Sequence, residues 1–345
     1  MTPHFLKRLA ACLFLGLLLA PAHAQSPRPL VRATALYERM LAEGKYDELE
    51  KISNQARANL TPIEDGQMVL GALYDGVADM CNCRKKDPAQ MQATDLHIEN
   101  WRKAYPKSVA VEITSAQKIM ARAWAARGGG YANTVTPEGW RLFREGMAAA
   151  EKRFMEMSPA ARNDPDWYPS MLQIGVARQW PEEKYRALYL DAVKKHPTYL
   201  PIYFHASAYY TPRWGGTPET VRKFIVEAAD LTRDKLGDTL YARLFWANAE
   251  HGMFDNGRVD WDRMKSGFER IVGQYPDAWN INNYARFACE ARDYQALLKL
   301  DEKIKGQPIP DAWWGHASNY LGCMDGARQN KGQPRRPSIT SSLAR

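Results

Sequence analysis

Apolar residues recur at helical spacing through almost the whole of this 345-residue chain, and no window sustains the apolar–polar alternation that a half-buried strand needs. That property limits the fold to helices packed on helices. Residues 30–60 show the pattern: Ala35, Leu36, Met40 and Leu41 form one apolar stripe, Gly44 breaks it, and Tyr46, Leu49, Ile52 and Ala56 resume it. Two helices joined by so short a turn must run antiparallel.

Turn signals divide the rest of the chain into similar units. Pro106, Pro197 and Pro276 each follow an aromatic residue or histidine, namely Tyr105, His196 and Tyr275. A proline just past a helix prevents its continuation. Nine residues beyond each proline stands a small residue, Ser115, Ala206 or Ala285, where a neighbouring helix can come close. A second correspondence aligns Arg127-Gly128-Gly129-Gly130 and the following Thr136-Pro137-Glu138 with Arg213-Trp214-Gly215-Gly216 and Thr217-Pro218-Glu219. In both, threonine suits the helix N-cap, proline the first helical position, and glutamate the positive end of the helix dipole. Spacings of 81 residues between the two threonines and 79 between Pro197 and Pro276 imply a long repeat of two hairpins.

The stops give about seven hairpins, at residues 30–60, 65–105, 107–157, 166–196, 199–235, 238–275 and 277–306, with a last helix near 311–325 as a cap. No hairpin buries its apolar face alone, so such units stack. The expected fold is all-α, a solenoid of stacked antiparallel hairpins; closure of the same hairpins into an α/α toroid is the alternative.

Residues 1–24 have the form of an export signal. Lys7 and Arg8 make a short positive region, Leu9 to Ala20 an apolar core, and Ala22-His23-Ala24 a cleavage site. Twelve apolar residues fall well short of the ~20 that span a bilayer. Leu9-Ala10-Ala11-Cys12 matches a lipobox, but cleavage there would leave most of the apolar core on the protein. The expectation is a periplasmic or secreted chain beginning at Gln25, with no transmembrane span, a helical-repeat domain over 25–325 and a basic disordered tail over 326–345.

Removing the signal lowers the formal net charge from +8 to +6. Five of the remaining positives, Arg328, Lys331, Arg335, Arg336 and Arg345, lie in the tail, which carries no acid. The body is therefore close to neutral, which argues against nucleic acid as a partner. Four cysteines survive processing, and in an oxidising compartment they tend to pair. Cys289 and Cys323, 34 residues apart, are spaced by one hairpin period and are the expected disulfide. Cys81 and Cys83 with His97 downstream suggest a metal or redox site, but no second C-x-C or C-x-x-C supplies further ligands, and a local or partner-linked disulfide is the simpler reading. No metal or cofactor is expected.

The Tyr-Pro stops, the small residues that follow them and the run Asn283-Tyr284-Ala285-Arg286 to Asp293-Tyr294-Gln295-Ala296-Leu297-Leu298 resemble tetratricopeptide repeats, in a degenerate form with irregular lengths. Pro212-Arg213-Trp214-Gly215-Gly216 is similar to an inter-helix loop of a secreted bacterial family of unknown function. That resemblance spans residues 165–305 and implies a helical-repeat fold without an assigned activity.

Five residues stand out as binding candidates: Tyr209, Arg213, Trp214, Asn280 and Asn283. An arginine and a tryptophan beside a glycine turn suit a carboxylate or a sugar face, although the same residues also suit a helix stop plugged by an aromatic ring. Asn280, Asn283 and Tyr284 share one helix face and offer amide and hydroxyl groups to a peptide or glycan, or alternatively to the preceding turn. His205, one turn before Tyr209, extends that set. No catalytic signature for a hydrolase elbow, a zinc protease, a phosphate loop or a dinucleotide fold is present. The expected function is binding or scaffolding: an exported protein without chemistry of its own that recognises another envelope protein, a peptide segment or another envelope component. A polysaccharide lyase or glycoside hydrolase of the α/α-toroid type is the alternative, with His205 and Tyr209 as its proton-transfer pair.

Overall fold

A computed structural model describes residues 28–80, 83, 87–250, 252–254 and 258–331. Residues 1–24, where an export signal is expected, Cys81 and residues 332–345 of the expected tail lie outside them. The described residues form α1 (Pro29–Ala42), α2 (Tyr46–Asn59), α3 (Val69–Asp79), α4 (Pro88–Ala104), α5 (Val109–Arg127), α6 (Pro137–Met155), α7 (Pro159–Arg162), α8 (Trp167–Ala177) and α9 (Glu182–Lys195). They continue with α10 (Leu200–Tyr209), α11 (Pro218–Leu231), α12 (Arg233–Leu236), α13 (Thr239–Ala247), α14 (Trp261–Gln274), α15 (Ala278–Glu290), α16 (Tyr294–Ile304) and α17 (Ala317–Gln329). The fold is all-α: extended pairing among the described residues is confined to one isolated bridge between Pro62 and Met68.

Helix ends fall where side chains satisfy the free backbone groups. Thr136 accepts the amide of Gly139 ahead of α6, and Thr217 with Thr220 closes a reciprocal capping box ahead of α11. Asp260, Asp277 and Asp293 do the same for α14, α15 and α16. Tyr105, His196 and Tyr275 are the C-caps of α4, α9 and α14, each directly before its proline. Ser115, Ala206 and Ala285 are buried in α5, α10 and α15, the first helices of alternate hairpins.

Consecutive helices pack as α1–α2, α5–α6, α8–α9, α10–α11, α13–α14 and α15–α16, and the pairs stack through α3–α5, α6–α8, α8–α10, α10–α13 and α14–α15. The second pair departs from this scheme, because α4 packs on α1 and α5 while α3 inserts between α1, α2 and α5. A Cβ at Gly76 would stand 2.3 Å from the Thr34 carbonyl, so glycine permits the close α1–α3 approach. That contact also turns α1: Tyr37, Met40 and Leu41 are buried, whereas Leu36, expected in the stripe, is 43 % exposed. At the other end α17 packs on α15 and α16 and runs to Gln329, beyond the boundary at 325 expected for the folded domain.

The stack curves until its ends meet. Arg28, the N-cap of α1, lies over the Trp279 ring of α15 at 5.1 Å. The Asp65 carbonyl, in the loop leading to α3, accepts from Arg243 of α13 at 2.8 Å and from Asn280 of α15 at 3.2 Å. Among the described residues, no helix is long and apolar enough to cross a membrane.

Candidate functional site

Cys289 and Cys323 are joined by a disulfide with their Cα atoms 5.8 Å apart, tying α15 to α17. Cys83 is buried and is also disulfide-bonded, which removes its sulfur from metal ligation. His97 instead lies 3.3 Å from the Tyr46 hydroxyl.

The five binding candidates separate into two groups. Asn280 and Asn283 sit in the core. Asn280 donates to the Tyr275 and Asp65 carbonyls, and Asn283 donates to the Trp279 carbonyl one turn back. Between them Asn282 accepts from the Ile309 amide and the Trp313 indole, both at 3.0 Å. These asparagines tie α15 to the turn before it, to the closing loop and to the cap, and none of the three is exposed. The Tyr284 hydroxyl lies 3.4 Å from Glu269.

Tyr209, Arg213 and Trp214 lie together at the other group's site. Here the ends of α8 and α10, the starts of α9 and α11, and a 3-10 turn at Pro212–Trp214 surround a cleft of about 430 Å³. Its walls carry Trp180, Tyr209, Tyr210 and Trp214, and also polar groups including Glu182, Arg186, Lys223 and Glu227. Tyr209 is held from two sides: its ring stacks on Tyr185 at 4.2 Å, and its hydroxyl donates to the Trp180 carbonyl at 2.9 Å. Tyr210 stacks on Phe224 at 4.9 Å. Arg186 grips the Glu227 carboxylate with both terminal nitrogens, so this pair cancels its own charge in the lining. Gly215 takes φ +94°, and a Cβ on Gly216 would fall 1.9 Å from the Tyr210 carbonyl, so both glycines are needed to fold the turn over the cleft.

Trp214 has a second neighbourhood. Its ring meets Trp124 edge-on at 5.8 Å. Arg127 lies among Trp124, Trp140, Phe143 and Trp214, between 5.1 and 5.9 Å from their centroids. The tryptophan thus plugs the junction between hairpins while it lines the cleft. Arg213 reaches back to the Gly129 carbonyl at 3.3 Å, so the two arginine–glycine turns that align in the sequence meet in space. Burial, and then the charge of Arg213, draw the Arg127 pKa below its usual value.

His205 is not among the residues that line the cleft. Its pKa is pushed down to about 4 by burial, which keeps it neutral at ordinary pH, and the Tyr209 hydroxyl is committed to Trp180. Asp164 and Asp166, which the residue order alone presents as ordinary loop acids, anchor a polar network between α2, α3, α5, α8 and α10. Asp164 accepts from Arg57, Tyr74 and the Asp166 amide, and Asp166 accepts from Tyr199 and Gln117. Burial first, then the charges of Asp164 and Asp75, push the Asp166 carboxyl up to about 8. Among the described residues, no three His, Cys, Asp or Glu side chains converge as metal ligands.

Fold and site together define an all-α helical-repeat protein with an aromatic-walled cleft between two of its hairpins. Residues 33–162 match the family described as Domain of unknown function (DUF4034). The match covers most of α1 through α7 and includes the Arg127 turn, but it ends before residues 165–305 and so does not bear on the resemblance expected from the Pro212–Gly216 loop. No curated protein and no solved structure matches the chain.

Proposed function

We propose that this chain is an exported helical-repeat binding protein, without chemistry of its own, that holds an envelope component in the cleft walled by Trp180, Tyr209 and Trp214. The observation that carries the reading is the cleft itself. Flat rings are fixed in place by stacking and hydrogen bonding, so a ligand meets a rigid apolar wall at little cost in side-chain entropy. Its volume of about 430 Å³ suits a small molecule or one or two units of a polymer. The leader at residues 1–24 supports export, with a mature N-terminus at Gln25.

The test is capture of partners from a cross-linked envelope extract by the tagged mature chain, comparing wild type with Trp214→Ala and with Lys223→Glu on the exposed cleft rim. Loss of one discrete component in both variants, with unchanged circular dichroism, is expected. Identical capture by all three proteins would remove the cleft from consideration.

The contacts that join the two ends of the stack favour a second reading, an α/α-toroid enzyme acting on polysaccharide. It predicts shortening of purified envelope polysaccharide by the wild-type chain, and unchanged polymer length after prolonged incubation would dispose of it.

A further inference from the structure

Arg127 is a charged side chain in an unusual position. It is only 7 % exposed, yet among the described residues it forms no ion pair. Its acceptors are two backbone carbonyls, Gly128 at 3.1 Å and Gly130 at 3.0 Å, and its Nε is buried without a partner. The four surrounding rings offset part of the desolvation cost through their negative faces. They supply no net charge.

Arg213 compounds the imbalance. It is exposed, donates a hydrogen bond to the Gly129 carbonyl, and brings a second positive charge to the same turn. Two guanidinium groups drawn together around a glycine turn, neither ion-paired among the described residues, repel each other. An anion that bridges them removes that repulsion, and the planar fork of arginine matches a carboxylate in particular.

The surroundings narrow the kind of anion. Tyr131 follows directly on Gly130 and is 81 % exposed, a large aromatic ring presented to solvent beside the arginine pair. Trp214 joins this turn to the cleft, since its ring both lines the cleft and packs on Trp124. Flat rings flanking a carboxylate-binding fork suit the apolar face of a pyranose that carries an acid group. Within the cleft, Glu227 is already taken by Arg186, Glu182 lies by Tyr209 and Tyr210, and Lys223 adds a further exposed positive charge on the rim.

We infer that Arg127 and Arg213, with Tyr131 beside them, form a subsite for the carboxylate of an acidic saccharide, a uronate, whose neighbouring units extend along Trp214 into the cleft. This inference rests on the cleft being the ligand site. Arg127 is the fixed, pre-oriented half of the subsite, and Arg213 is the exposed half that closes on the ligand.

Calorimetric titration of the mature chain at low salt tests it, with tetragalacturonate, its carboxyl-reduced neutral tetramer, and an acidic peptide of four glutamates as probes. Arg213→Gln and Tyr131→Ala change exposed side chains and leave the packing intact. Wild type is expected to bind the uronate at least about tenfold more tightly than the neutral tetramer, the usual worth of a charge-assisted fork. Arg213→Gln should erase that preference while keeping the neutral affinity, and Tyr131→Ala should weaken both saccharides. Equal affinity for the two tetramers, unaltered by Arg213→Gln, would overturn the subsite and leave the cleft reading standing. Equal binding of the peptide would overturn the saccharide assignment. If neither saccharide binds, the inference falls, and the cleft reading is judged separately by envelope capture.

Discussion

Replacing Asp164 by asparagine changes one atom type at the point where the N-terminal hairpins meet the middle of the stack. Asp164 is fully buried, and its two oxygens receive three donors. Oδ1 takes the Asp166 amide at 2.8 Å, while Oδ2 takes Arg57 Nε at 2.6 Å and the Tyr74 hydroxyl at 2.7 Å. Asparagine accepts at one end only, so whichever way its amide turns, its NH₂ group confronts a donor. The substitution also strips the counter-charge from Arg57, whose side chain is only 18 % exposed. Breaking a buried pair from one side typically costs about 3–5 kcal/mol. Asp166 returns nothing appreciable at neutral pH, because burial first, and then its charged neighbours, hold its carboxyl protonated to about pH 8 and leave it no charge for Asp164 to repel. The net loss at neutral pH is therefore the full cost of the broken pair, about 3–5 kcal/mol.

Urea denaturation followed by far-UV circular dichroism measures the loss, and a double-mutant cycle with Arg57→Met isolates the pair. Once Asp164 is neutral, removing the guanidinium should cost little, giving a coupling of about 2 kcal/mol or more. Additive single variants, or a loss for Asp164→Asn below about 1 kcal/mol, would show that the network does not hold this junction together.

Two further outcomes follow from the same structure. Cys289→Ala with Cys323→Ala opens a 34-residue loop, which should cost about 4 kcal/mol and appear first as faster amide exchange in α17; exchange unchanged there would refute the tie. Asp166 is held protonated to about pH 8 against an ordinary value of 3.8, so the folded chain binds a proton that the unfolded chain releases across that window. Its contribution is complete below about pH 4 and is lost as pH rises through 8, so Asp166→Asn should gain thermal stability relative to wild type between pH 6.5 and 8.5. The lone Oε1 of Gln117 supports this, since rotating that amide offers an acceptor to a protonated carboxyl. Parallel melting curves for the two proteins across that range would contradict the assignment.

Local chemistry is legible in the order of residues. Helix stops at Tyr105, His196 and Tyr275, caps at Thr136 and Thr217, and buried small residues at Ser115, Ala206 and Ala285 all follow from interactions within a few residues or from a repeat that recurs at fixed spacing. The sequence also marks Arg213 and Trp214, because a glycine turn beside them is a local signal. Direction is what it leaves unassigned. Asn280 and Asn283 lie on a polar-looking face, but curvature of the stack carries that face into the core, where backbone carbonyls satisfy the amides. Leu36 and Tyr37 differ by one helical step, and only the close approach at Gly76 decides which is buried. The meeting of the Arg127 and Arg213 turns depends in the same way on how α5 and α10 are brought together. Helical periodicity and caps are properties of a few neighbouring residues, whereas the partner that each face meets is set by the sum of small rotations over many hairpins, and only the tertiary structure performs that sum.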